Sequence, residues 1–271
     1  MGVSIVINLT LYKREMKNSL KMLIIFAAII SMYVAIIISM YDPDMMASLE
    51  KFNEAMPELM DAVGMKSGAT TLIGFMISYL YGFILLVFPM IFCILRGNGV
   101  IAKYVDKGSM VTLLAAPIKR SKVALTQIFA MVSGIVILIS YTTVLEIVIS
   151  NASFSKELVV SQLLKVNIAL LCLHLFIGSI CYLSSCIFSE MKYSIAFGAG
   201  IPALMFILQM LANAGEKAKV LKYFTFFTLY DANGIVEGNN SAIVGAVVLA
   251  IGAVFVYLFG IFIFSKKDLH I

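Results

Sequence analysis

The chain has 271 residues, 62% of them hydrophobic and 13% charged, with a formal net charge of +5. A soluble domain is about 45–50% apolar and about 25% charged, so a water-soluble globule is excluded and a membrane protein is expected. The small basic excess needs no nucleic acid to explain it, because positively charged loops on one side of a membrane account for it.

In chain order, Lys13, Arg14, Glu15, Lys17 and Asn18 come first, ahead of an uncharged apolar run over 22–41. The run is long for a signal peptide and no A-x-A-like site follows, so it is expected to be a retained span. Before it, Ile5, Leu9, Tyr12, Met16 and Leu20 recur at helical spacing, with Lys13, Arg14, Lys17 and Lys21 opposite. That pattern predicts an amphipathic interface helix over 1–21, basic toward anionic lipid headgroups. Five further runs, 71–95, 123–150, 163–188, 193–211 and 242–264, are each able to cross a hydrocarbon core of about 30 Å as a helix. No repeat or linker divides them. The expected fold is a single all-α membrane domain over 1–271 with six transmembrane helices.

Most of the 20 basic residues fall in the N-terminal segment, the loop 96–122 and the C-terminal tail. The loop after the first span instead carries Asp42, Asp44, Glu50, Glu54, Glu58 and Asp61. The positive-inside rule then predicts a multi-pass protein of the plasma membrane with both termini in the cytoplasm. In that acidic loop Asp42 and Pro43 suit a helix start, Met46, Leu49, Phe52, Met56, Leu59 and Val63 form one stripe, and Gly64 ends it.

The loop 96–122 has structure of its own. Gly97 and Gly99 break the second span, after which Val100, Ile101, Tyr104 and Val105 share one helical face while Lys103, Asp106 and Lys107 share the other. Gly108 interrupts that helix, Ser109 can cap a second one over 110–116 containing Met110, Leu113 and Leu114, and Pro117 stops it. Lys119, Arg120 and Lys122 then read as topology signals at the membrane surface.

Within the spans ionisable residues are scarce. Glu146, near the end of the third, has two readings: a polar point in a translocation path together with Thr142, Thr143, Asn167 and Gln209, or a carboxylate that reaches the nearby membrane interface. His174 reads as a packed, hydrogen-bonded residue, and Cys93, Cys172, Cys181 and Cys186 as small apolar packing residues. Ala196 with Gly200, and Gly245, Gly252 and Gly260 on the last span, predict close helix packing without saying whether it lies within one chain or between two. The loop 212–241 is unusually apolar. It places Phe224, Phe226, Phe227, Leu229 and Tyr230 beside Asp231, and reads either as an outer hairpin dipping into the protein or as a loop packed on the span tips.

Motifs for chemistry are missing. There is no G-x-x-x-x-G-K-[ST] loop to cradle phosphates, no H-E-x-x-H and no G-x-S-x-G. No catalytic residue and no metal ligand is expected, and the chain itself is expected not to be an enzyme.

The stretch "DKGSMVTLLAAPIKRSKVALTQ", Asp106 to Gln127, resembles the inner loop of ABC-2 type permeases, the membrane subunits of one class of bacterial ABC exporters. The basic start, six spans, apolar loop before the last span and closing "SKKDLHI" are similar to that family too. The resemblance implies that Val100, Ile101, Lys103, Tyr104, Asp106, Lys107, Met110, Leu113 and Leu114 form coupling helices docking on a separate ATPase, with Lys103 standing where the family often has a Glu. It implies a pair of permeases, this chain with itself or a paralogue, working with two ATPase chains that bind ATP and Mg. Members of the group export amphipathic peptides such as bacteriocins, antimicrobial peptides or modulin-like peptides, and drugs or lipids. The alternative is an ATPase-independent secondary transporter or channel.

Overall fold

A computed structural model describes residues 7–42, 71–115, 118–154, 157–214 and 216–268. Among these the fold is all-α, with six helices long and apolar enough to cross a membrane. The first is Leu9–Ser39, the third Arg120–Ser153, the fourth Val160–Ile187, the fifth Met191–Asn213 and the sixth Asn240–Lys266. The second is composite: α-helical over Leu72–Met76, π-helical over Ile77–Ile84 and α-helical again over Leu85–Gly97. Pro89 lies inside its last part and offers no N–H to the Leu85 carbonyl, so the regular ladder is already broken where the wide turns end. The first span begins, and the second and sixth spans end, at one end of the bundle, the basic end; the opposite one is the far end. The helix expected over 43–64 lies outside the described residues.

The first helix departs from expectation. Residues 9–21 are not a separate interface helix but run without a break into the first span. The face turned to the bundle is Leu11, Glu15, Ser19, Leu23, Phe26, Ile30, Val34 and Ile38, spaced mostly by four, whereas Leu9 and Leu20 are exposed. The apolar stripe read from the sequence is therefore not the buried one. The helix is continuous with the first span, so its buried face extends the face of Leu23, Phe26, Ile30, Val34 and Ile38 backward, and Glu15 on that face meets a cation inside the bundle.

The fourth span is central, packed against the second, third, fifth and sixth. Its closest neighbour is the sixth, where small residues let the backbones approach. A Cβ on Gly252 would come within 2.9 Å of the Phe176 ring, one on Gly260 within 2.7 Å of the Tyr182 ring, and one on Gly245 would collide with the Leu229 carbonyl. These glycines thus serve packing inside one chain. Gly200 is different, since among the described residues nothing outside its own helix lies within 4 Å of the place its Cβ would take.

The connections at the basic end are short. The helix Ala102–Asp106 follows the second span, Gly108 turns the chain with a φ of 67°, and the helix Ser109–Ala115 succeeds it. A left-handed φ of this size suits Gly, so the interruption read at this position is a genuine reversal. At the far end the loop before the sixth span winds through two 3₁₀ segments, Glu216–Phe224 and Phe226–Leu229, then a short helix Ala232–Glu237.

Candidate functional site

Two polar centres stand out in the apolar bundle, one near each end. At the far end, Glu146 of the third span is wholly buried, with 0% exposure, and does not reach the surface of the protein. The Tyr81 hydroxyl, on the π-helical stretch of the second span, donates to its Oε2 at 2.8 Å. Asn167 of the fourth span donates from Nδ2 to the same oxygen at 2.9 Å and lies 2.7 Å from the Tyr81 hydroxyl. The sequence reading of a carboxylate exposed at the edge of the span is not realised, and Glu146 is buried against partners from two other spans. Three side chains from three spans close one triangle around a single carboxylate oxygen.

The other atoms of the cluster are unsatisfied. Glu146 Oε1, Asn167 Oδ1 and the Tyr230 hydroxyl are buried without a hydrogen-bond partner among the described residues. Buried polar groups are nearly always paired, so three orphans in one cluster mark a place with unused capacity.

Tyr81 and Tyr230 also line a cavity of about 240 Å³ at the far end. Its walls include Ile77, Leu86, Phe206, Met210 and Phe227 on the apolar side, and Gln209, Asn213, Thr228, Asp231, Asn233 and Lys222 on the polar side. The loop before the sixth span forms one flank. Thr225 caps the turn Phe226–Leu229 through the Phe227 N–H and bonds the Met205 carbonyl at 2.9 Å, and Asp231 caps Ala232–Glu237 through the Gly234 N–H at 3.1 Å. Gln209 reaches the loop by accepting from the Thr228 hydroxyl at 2.8 Å.

Of the expected path residues, Glu146 and Asn167 therefore touch, and Gln209 sits in the neighbouring cavity. Thr142 and Thr143 do not join them. Each donates to a carbonyl of its own helix one turn back, Leu138 at 3.0 Å and Ile139 at 2.8 Å. Of the hairpin residues, Phe227 is buried, Phe226 stacks on it and packs edge-on against Phe176, and Tyr230 lines the cavity. Phe224 differs from expectation and is 65% exposed, because it ends the first 3₁₀ segment on the outer side of the turn. Tyr81 was not singled out from the sequence, although a tyrosine in the apolar run "SYLYGF" is the kind of polar handle that looks for a partner when buried.

At the basic end, Arg96 on the last turn of the second span meets Glu15, with Nη2 2.8 Å from Oε2 and 3.2 Å from the Glu15 carbonyl oxygen. The Tyr104 hydroxyl, from the helix Ala102–Asp106, donates to the other carboxylate oxygen, Oε1. Ser185 of the fourth span accepts from the Ile101 and Ala102 N–H groups at 3.0 and 2.8 Å and donates to the Asn98 carbonyl. The short helix is thus fastened at its start and at its middle.

This arrangement sorts the expected docking residues. Val100, Ile101 and Met110 are buried in the core and hold the segment to the bundle, so they are not free for another subunit. Tyr104 is engaged with Glu15, and Leu113 packs partly against the core. Lys103, Asp106 and Lys107 are exposed. Leu114 lies in the helix Ser109–Ala115.

His174 is packed as expected, its ring nitrogens 2.8 Å from the Leu170 carbonyl oxygen and 3.2 Å from that of Leu86. The four cysteines are free, and no cluster able to hold a metal ion occurs among the described residues.

Fold and site together define a six-span all-α membrane protein with a buried carboxylate cluster and a cavity beside it. No family model matches the chain, and no curated protein matches it.

Proposed function

We propose that the chain is the permease subunit of an ATP-driven exporter of the ABC-2 type, in the plasma membrane with both termini cytoplasmic, working as a pair with two separate ATPase chains that supply ATP and Mg. The observation that carries the reading is Tyr104. It belongs to a short helix that presents Lys103, Asp106 and Lys107 outward, and its hydroxyl grips the carboxylate shared by the first two spans. A push on that helix is delivered to the start of the first span and the end of the second, the kind of rigid lever by which nucleotide-driven closure rocks a bundle. The far-end cavity and the apolar, Phe- and Met-rich interior suit an amphipathic substrate, a peptide, drug or lipid.

The test is to purify the full chain from its own cells in nanodiscs and measure ATP hydrolysis by the assembly. The expected result is a co-purifying P-loop chain whose hydrolysis is lost when Lys103, Asp106 and Lys107 are charge-reversed together. Full hydrolysis with the reversed charges overturns the docking assignment.

A second reading, a secondary transporter, is favoured by one observation: Glu146 is a membrane-embedded acid with no basic partner among the described residues. Uptake into proteoliposomes by the purified chain alone, driven by an ion gradient, selects that reading over the first.

A further inference from the structure

Four rings line the far-end cavity: Tyr81, Phe206, Phe227 and Tyr230. Phe206 and Phe227 meet edge to face with centroids 5.4 Å apart. Ring faces attract cations, and an ammonium group among several rings is a recurrent use of such walls. Two carboxylates add to that field. Asp231 lines the cavity itself, and Glu146 stands behind Tyr81, whose hydroxyl bonds it at 2.8 Å. Tyr230 lies close enough to interact with the charges of both acids.

Glu146 lacks what a buried carboxylate needs. It is fully buried, no Lys, Arg or His is paired with it among the described residues, and its Oε1, together with the Asn167 carbonyl oxygen and the Tyr230 hydroxyl, is unpartnered. A positive charge brought from outside the chain compensates that deficit.

Resting on the exporter reading above, we propose that the far-end cavity binds a primary ammonium group of the transported substrate, held by the Tyr81 and Tyr230 rings and the Asp231 carboxylate, with Glu146 as counter-charge behind the rings. At about 240 Å³ the cavity falls just below the roughly 300–1,000 Å³ of sites for whole small molecules. It takes an aminoalkyl head and leaves the remainder of the substrate outside. Lys222 is the one basic residue among the lining residues and opposes an ammonium guest.

The experiment uses the full chain in phosphatidylcholine nanodiscs, with n-butylammonium as probe and n-butyrate and 1-butanol as controls, binding being followed by calorimetry and integrity by thermal unfolding. The ammonium is expected to bind and butyrate not to. Glu146→Gln is expected to weaken the ammonium about tenfold and Lys222→Met to strengthen it, opposite signs that binding to a merely greasy cavity cannot produce. Where Glu146→Gln does not fold, Asp231→Asn substitutes for it, since Asn caps the short helix as well as Asp does. Equal binding of butanol and butylammonium, or an affinity indifferent to both charge changes, overturns the proposal. The measurement needs neither ATPase nor transport, so a missing ATPase leaves it standing and a failed titration leaves the docking assignment untouched.

Discussion

The Arg96 guanidinium lies 2.8 Å from the Glu15 carboxylate, joining the end of the second span to the first turns of the first, with Tyr104 completing the contact from the following short helix. Both charged side chains are largely withdrawn from water, at 11% and 3% exposure. Removing one partner of such a pair leaves the other uncompensated, at about 3–5 kcal/mol, while removing both costs less. Arg96→Gln is therefore expected to destabilise the protein by about that amount, and Arg96→Gln with Glu15→Gln by less than the sum. A double-mutant cycle from denaturation in mild detergent checks this, and strict additivity contradicts it.

Ser185 serves two backbone donors at the start of the helix Ala102–Asp106. Ser185→Ala is expected to cost about 1–2 kcal/mol, as loss of a helix cap does, and to loosen that helix specifically. Hydrogen exchange should rise across 101–106 while the middle of the fourth span stays protected. A uniform rise across the fourth span would mean that the serine supports the bundle rather than the short helix.

In the far-end triangle, Glu146→Ala removes the acceptor used by Tyr81 and Asn167. Leaving buried donors unmade costs about 1–3 kcal/mol, and Tyr81→Phe, which takes away one donor only, is expected to cost less. Thermal unfolding of both variants in the same nanodiscs tests the order, and a reversed order would show that the tyrosine anchors the π-helical stretch by itself.

The glycines give a matched pair. Gly245→Ala forces a methyl into the Leu229 backbone, and overpacking of this kind costs about 1–3 kcal/mol. Gly200→Ala meets open space and relieves a mid-helix glycine, which favours the helix by up to about 1 kcal/mol. Opposite shifts in unfolding midpoint are expected. A loss of stability at Gly200 would instead locate a subunit contact on the fifth span.

Six spans, their order, the break after the second, the reversal at Gly108 and the lack of enzymatic motifs could all be read from the residues. Each depends on local features: long apolar runs, glycine's left-handed freedom, and the absence of nucleophile or phosphate loops. The inward face of the first helix could not be read this way, because the apolar stripe through Leu9, Tyr12, Met16 and Leu20 is real in sequence, whereas the buried face carries Glu15, whose partner Arg96 lies 81 residues away. Glu146 illustrates the same limit. With the expected span ending at residue 150, it could equally have reached water, until Tyr81 and Asn167 closed on it from two other helices.

The sequence by itself determined that the chain is a six-span helical membrane protein, because hydrophobic length and backbone hydrogen bonding in lipid leave few alternatives. Only the tertiary structure decided which polar side chains meet, separating a fastened short helix at the basic end from a partly unsatisfied carboxylate at the far end. The physical reason is that a polar group in a dry bundle is governed by partners brought from distant helices, and those partners are set by packing rather than by spacing along the chain.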